Sequence, residues 1–355
     1  MQLFEMREFD GHERVVFGTD EATGLRAIIA IHSTTLGPAA GGCRMWPYAS
    51  SHEATRDVLR LSKGMSYKNA MADLPFGGGK SVILGDSRQH KTPELFEAFG
   101  RLIDSLGGSY ITAEDVGTTT VDMEHAARAT RFVSGLGGKK AGDAGGDPSP
   151  KTALGVYLGI KAAAKSRLGR SDIEGLTVAI QGVGGVGYHL AHLLAKDGVK
   201  LTVADVRETA TSRVRDELNA RVVPAETVLF EDVDVIAPCA LGAILDAASI
   251  SKLRTRIIAG AANNQLAEDK DGAALHAANV LYAPDYVINA GGIISAAREF
   301  HGGVTEAQVD TEVHKIPGRL LEIFERARRE NRPTNAIADQ LARERISPTR
   351  ARLVA

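Results

Sequence analysis

The stretch from Leu176 to Val206 constrains this chain most. It reads LTVAI, QGVGGVG, YHLAHLLAKDG and then KLTVADV: a β-branched apolar run, a glycine cluster, a helical pattern and a second apolar run, the layout of a parallel βαβ unit. Gly182, Gly184 and Gly187 complete a GxGxxG, and Asp205 follows 18 residues after the last glycine. Glycines permit the tight turn and the approach of a pyrophosphate, with Val183, Gly185 and Val186 completing the loop. The helix N-terminus favours the pyrophosphate's charge, and a terminal acid accepts hydrogen bonds from the adenosine ribose. The spacing therefore predicts a dinucleotide site. Asp205 repels a 2′-phosphate and so favours NAD over NADP, although the nearby Arg207 can accommodate a phosphate.

Strands and helices continue to alternate beyond this unit, at VDVIAPCA, RIIAGAAN and NVLYAPD, which predicts an α/β fold with a doubly wound parallel sheet. Asn263 and Asn264 end one of these strands, and YVINAGGIIS is expected to bring Asn289, Gly291 and Gly292 into a strand-to-helix turn. Amides at the C-terminal ends of parallel strands either face the ligand or cap turns, and both readings stand. The 355 residues suffice for two domains. Ser134 to Pro150, SGLGGKKAGDAGGDPSP, is the best linker, with Ser149 and Pro150 expected as cap and first position of the next helix. The expected division is 1–145 for a first α/β domain, 146–330 for the nucleotide-binding domain and 331–355 for a C-terminal helix and tail that packs back on the first.

The first domain holds the reactive side chains. In MSYKNAMADLPFGGGKS, Lys68 and Lys80 stand 12 apart, across an expected turn from Pro75 through Gly77, Gly78 and Gly79. Leu61, Met65 and Lys68 share one helical face, while KSVIL reads as a buried strand that opens on Lys80. Two ammonium groups in a confined site attract a carboxylate and depress each other's pKa, so that one can bind an anion and the other act as a base. The plain alternative is two solvated surface lysines. A phosphate-binding P-loop is disfavoured, because Leu74 stands where that motif needs glycine and a strand follows where it needs a helix. LGPAAGGCR, Leu36 to Arg44, reads as a loop whose Gly41 and Gly42 either lie against a ligand or simply turn. SYIT reads as a strand that delivers Ala113, Glu114 and Asp115. A carboxylate meeting the lysines there could exchange a proton with a substrate amine.

A formal net charge of -2 gives no reason to expect nucleic acid or a membrane as partner. Cys43 and Cys239 are far apart and in no CxxC, and the N-terminus lacks an apolar signal region. The reading is a cytoplasmic protein with two reduced thiols. The histidines form no metal-ligand spacing, so no metal is expected.

Together LGPAAGG, KGMSYKNAMADLPFGGGKSVI, YITAEDVGTT, the GxGxxG, DVIAPCALGA, AGAANN and VINAGG resemble, in that order, the glutamate, leucine, phenylalanine and valine dehydrogenase family. The leucine and phenylalanine branch is the nearest. The resemblance implies an N-terminal substrate and oligomerisation domain, a Rossmann NAD-binding domain and a cleft between them. It implies that Lys68, with Gly41, Gly42 and Met65 beside it, binds the α-carboxylate, that Lys80 is the general base, and that Asp115 handles protons at the substrate nitrogen. The cofactor set is Gly182 to Gly187, Asp205 with Val206, Ala240 and Asn289. One of Asn263 and Asn264 faces the substrate. The implied reaction is L-amino acid, NAD and water giving 2-oxo acid, ammonium and NADH, in a homo-oligomer. Ala40, Ala113 and Ile293 match the side-chain pocket, and their apolarity disfavours a glutamate side chain. Ala113 and Ile293 point to leucine, valine or isoleucine, whereas Ala40 is the phenylalanine-type form and keeps an aromatic substrate as runner-up. A non-catalytic NAD(H) sensor would explain the second domain but not Lys68, Lys80 and Asp115.

Overall fold

The computed structural model describes residues 2–136, 147–301 and 305–347, with Arg298, Glu299 and His301 described by backbone alone. It separates into two compact units, Met1–Gly146 with Ala296–Thr305 and Ala342–Ala355, and Asp147–Ser295 with Glu306–Leu341. The division differs from the expected one at two places. Residues 331–341 group with the second unit, and 296–305 return to the first. Of the expected linker, residues 137–146 lie outside the described residues.

In the first unit, β1 (Arg14–Asp20) and β2 (Leu25–Ser33) form an antiparallel pair. Then come β3 (Ala39–Ala40), β4 (Cys43–Trp46), α1 (Ser51–Met71), β5 (Gly77–Leu84), α2 (Pro93–Asp104), β6 (Tyr110–Ile111) and α3 (Thr120–Ala127). The sheet order is β1-β2-β5-β3-β6, with β4 also paired to β5. Strand β2 is apolar almost throughout because both faces are covered: Leu25, Ala27, Ile29 and Ile31 pack with Phe96, Phe99 and Ile103 of α2, while Ile28 and Ala30 pack with Ala54, Val58 and Leu59 of α1. Helix α1 starts where Ser50 Oγ accepts from Glu53 N–H, and α2 where Thr92 accepts from Leu95 N–H.

Two expectations are corrected here. Gly77, Gly78 and Gly79 are strand residues rather than a turn, which makes Lys80 the fourth residue of β5. A Cβ on Gly77 would lie 1.9 Å from Ser33 O, and one on Gly78 2.1 Å from Ser66 N. These glycines admit the neighbouring strand and α1. Likewise Leu36 to Arg44 is a loop only in part: it supplies β3 and the start of β4, both parallel to β5, and Gly41 and Gly42 form the non-strand link between them.

The second unit opens with α4 (Ser149–Leu168), capped by Pro148 without a side-chain bond, so Ser149 is the first helical residue and not the cap. Strands β7 (Thr177–Gln181), β8 (Lys200–Ala204), β9 (Arg221–Val222), β10 (Val235–Pro238), β11 (Ile257–Ile258) and β12 (Leu281–Tyr282) form one parallel sheet in the order β12-β11-β10-β7-β8-β9. Read from β9 this is 3-2-1-4-5-6, the order of a doubly wound dinucleotide-binding fold. Helices α5 (Gly185–Lys196) and α6 (Glu208–Leu218) follow β7 and β8. Short α7 (Ala247–Ile250), α8 (Asp271–Ala277) and α9 (Asp285–Ile288) precede α10 (Gly291–His301), α11 (Glu306–Val313), α12 (Ile316–Glu330) and α13 (Thr334–Ile346). Asn289 therefore sits between two helices, not in a strand-to-helix turn. Strand β12 ends before Pro284, which has no N–H to donate to a ladder, and the apolar YVI run becomes a helical turn. Among the described residues no helix is long and apolar enough to cross a membrane.

Candidate active site

The chemistry in the first unit is assembled by three adjacent backbone rows. Alternation along β5 puts Ile83 in the α2 core and Val82 in the α1 core, so Lys80 points to the face that α1 covers. Its side chain is 7% exposed. Strand β4 lies beside β5, and residues 113–116 lie beside β4, with Cys43 N–H donating to Ala113 O at 2.8 Å and Met45 N–H to Val116 O at 2.9 Å. A tight turn then fixes Asp115, whose N–H donates to Thr118 Oγ1 while Thr118 N–H returns to Asp115 O.

This arrangement brings Lys80 Nζ to 2.9 Å from Asp115 Oδ2, the meeting that the sequence left open. Burial alone would raise the Asp115 pKa, but Lys80 and Arg44, with the Val116 N–H, hold it below the ordinary carboxylate value. Gly42 adjoins the pair, since a Cβ there would lie 2.9 Å from Asp115 Cβ. One on Gly41 would lie 3.1 Å from Met65 Cγ. Gly41, Gly42, Met65, Lys80 and Asp115 thus share one neighbourhood. Lys68 is half-buried in the last turn of α1, one turn on from Met65. Ala40 and Ala113 are half-buried, Ala40 at the end of β3 and Ala113 just after β6.

Sequence reasoning missed Arg44, whose Nε lies 3.2 Å from the same Asp115 oxygen and whose Nη1 lies 2.8 Å from Asp57. Tyr48 OH also donates to Asp57, at 2.7 Å. No local signal marked it, since Asp57 lies 13 and Asp115 71 residues away.

The second unit holds the remaining predicted residues. Gly182 has φ +89, and a Cβ on Gly187 would lie 1.9 Å from Gly182 O, so both positions demand glycine. Gly184 caps α5 with no side-chain bond, which leaves the N–H groups of Gly185, Val186 and Gly187 to a ligand or solvent. Asp205 accepts from Val183 N–H at 3.0 Å and Arg207 N–H at 2.9 Å. Burial works against its ionisation, but those bonds and the Arg207 guanidinium keep its pKa below the usual value. Val206 is 90% exposed, and Ala240 lies against Gly182. Asn289 is buried. Its amide N–H donates to Ala261 O and Asn263 Oδ1, whereas its Oδ1 has no partner. A glycine cradle, an uncapped helix start, an ionised acid and an orphaned buried amide oxygen fit a dinucleotide that ends in a carboxamide. Asn263 is the amide tied to Asn289. Asn264 has φ +51, and its carbonyl accepts Ala243 N–H. Ile293 is half-buried on α10.

Two family models match the chain. Residues 12–132 match the Glu/Leu/Phe/Val dehydrogenase dimerisation domain, and residues 202–348 match Glutamate/Leucine/Phenylalanine/Valine dehydrogenase. The leucine dehydrogenase of Geobacillus stearothermophilus is 47% identical over 99% of this chain and 95% of its own length. The phenylalanine dehydrogenase of Bacillus thermotolerans is 44% identical over 97% and 90%. The crystal structure of L-tryptophan dehydrogenase from Nostoc punctiforme superimposes with a TM-score of 0.85, at 43% identity, covering 96% of this chain and 97% of that one. By sequence across nearly its whole length, and by a fold that carries the predicted motifs, the chain belongs to the glutamate/leucine/phenylalanine/valine dehydrogenase family.

Proposed function

We propose that the chain catalyses reversible, NAD-dependent oxidative deamination of an apolar L-amino acid to its 2-oxo acid and ammonium, with leucine, valine and isoleucine as preferred substrates. The observation that carries this reading is the buried Lys80–Asp115 pair at 2.9 Å. A lysine and an ionised carboxylate in contact supply both proton donor and acceptor at one carbon–nitrogen centre. NAD, when bound, supplies the hydride acceptor.

Lys68 binds the substrate carboxylate, with the Gly41 and Gly42 backbone beside it. Lys80 takes a proton from the water that adds to the imino carbon. Asp115 accepts and returns protons at the substrate nitrogen, and its depressed pKa keeps it ready to accept. Asn263, Asn264 and Asn289 bind substrate or the carboxamide end of the cofactor, and Asp205 the ribose. Ala40, Ala113 and Ile293, the positions that match the family's side-chain pocket, are all apolar, and a substrate side-chain carboxylate buried against such residues would go unpaired.

The leucine dehydrogenase likeness supports a branched-chain substrate. The small Ala40, with the likeness to a phenylalanine and a tryptophan dehydrogenase, favours a second reading in which the substrate is aromatic. The matched dimerisation model supports a homo-oligomer. The two free thiols fit a reducing, cytoplasmic setting. The test follows NADH absorbance with NAD and L-leucine, L-valine, L-phenylalanine, L-tryptophan or L-glutamate. Fastest turnover on a branched-chain amino acid is expected, and preference for an aromatic one gives the second reading. NADH binding with no turnover on any of them leaves a nucleotide sensor.

A further inference from the structure

The ion pair at Lys80 is the inner end of a longer row. Arg60 Nη2 lies 3.1 Å from Asp57 Oδ1, Asp57 Oδ2 lies 2.8 Å from Arg44 Nη1, Arg44 Nε lies 3.2 Å from Asp115 Oδ2, and that oxygen lies 2.9 Å from Lys80 Nζ. Charges alternate along it. Exposure is 50% at the Arg60 side chain, 16–25% at the three members between and 7% at Lys80, so the row has one solvent-exposed end and one buried end. Arg44 is the middle member and cannot swing away. The strand bonds of Cys43 and Met45 hold its backbone on either side, and Asp57, itself fixed by Tyr48 OH, holds its guanidinium.

We infer that Arg44 is a positioning residue: it keeps the Asp115 carboxylate ionised and in place when Lys80 gives up its proton. The inference rests on the deamination reading. With Lys80 protonated the row holds three cations and two anions, and when Lys80 is neutral the two signs balance. Without Arg44, a neutral Lys80 would leave Asp115 as an unpaired, largely buried anion, which burial drives towards protonation.

The other groups around Asp115 cannot take over. Cys43 on β4 is pushed up to about 12 by burial, and Tyr110 on β6 is pushed above its ordinary value by burial, so both stay neutral. Asp122 on α3 is an anion paired with Lys91. Around Arg44 stand Asp57 and Arg60 on α1, together with Tyr48 and Asp115. A fixed cation at this point keeps Asp115 ionised.

The test compares the pH dependence of kcat/KM for the wild type, Arg44→Gln, Arg44→Lys and Asp57→Asn, with thermal unfolding as a folding control. Removing the positive charge in Arg44→Gln moves the ascending limb to higher pH by about one unit, roughly a tenfold loss below it. Arg44→Lys returns the limb towards the wild-type position. Asp57→Asn removes a negative charge from the same row and moves the limb the opposite way, to lower pH. Should Arg44→Gln not fold, the Arg44→Lys and Asp57→Asn pair still decides. Profiles that fall by one factor at every pH, with no shift, overturn the inference and leave deamination standing. A wild type that turns over no amino acid overturns both.

Discussion

Gly41 lies so close to Gly79 that a Cβ on it would sit 1.8 Å from the Gly79 carbonyl oxygen. The two glycines let the backbone after β3 press on β5 three residues before Arg44 and one residue before Lys80. Gly41→Ala is therefore expected to cost about 3 kcal/mol or more through overpacking against backbone. Gly64, exposed on α1 with nothing within 4 Å of a built Cβ, is its control. Gly64→Ala is expected to stabilise by about 0.5–1 kcal/mol. Urea unfolding midpoints check both, and a harmless Gly41→Ala would contradict the packing described.

Lys80→Ala is expected to abolish amino-acid turnover, by a factor of about 100 or more, while NADH binding persists. The residue belongs to the first unit and the glycine cradle to the second. Fluorescence titration with NADH separates the outcomes, because loss of binding together with turnover would mean misfolding or a wrong assignment.

A second buried cluster sets an acid limit on stability. His32 Nδ1 lies 2.7 Å from Ser66 Oγ, and its ring packs edge-on to His12 at 4.9 Å. Burial, then the neighbouring His12, lowers the His32 pKa from 6.5 to about 4, against the opposing pull of Asp10. His12 is lowered too, mainly by burial. Between those two pH values the unfolded chain binds a proton that the folded chain refuses. Stability is thus complete above pH 6.5 and is lost as pH falls towards 4, by about 3 kcal/mol for His32. The melting temperature should fall steeply from neutral pH to pH 5, and less so in His32→Asn. Equal falls would remove His32 as the cause.

The nucleotide-binding half of the molecule was legible because its signal is local: strand, glycines, helix and acid follow one another in about thirty residues. The delivery of Asp115 by the strand around Tyr110 was legible for the same reason. Gly77 to Gly79 misled because glycine marks a turn and a close backbone approach alike. Only Ser33 and Ser66, distant in sequence, reveal which applies. Arg44 was invisible for a related reason. Its partners Asp57 and Asp115 lie 13 and 71 residues away, and nothing local announces such a pairing. Asn289 was misplaced because YVI fits a strand and a buried helical turn equally well by pattern.

Cofactor choice turns on Asp205 and Arg207. Asp205 Oδ1 accepts from both the Arg207 backbone N–H, at 2.9 Å, and its Nε, at 3.3 Å, so the carboxylate restrains the one nearby group that could meet a 2′-phosphate. The guanidinium already borders the glycine loop, 3.3 Å from a Cβ built on Gly184. Asp205→Asn keeps an acceptor for one of the backbone N–H groups, removes the negative charge and frees the arginine. The ratio of kcat/KM for NAD over NADP is expected to fall by about tenfold or more, because an unfavourable charge contact is removed as a favourable one appears. Arg207→Ala in the Asp205→Asn background should then cancel the gain with NADP and leave the rate with NAD nearly unchanged. If the double variant uses NADP as well as Asp205→Asn alone, the preference resides in the Asp205 charge and Arg207 has no part in it.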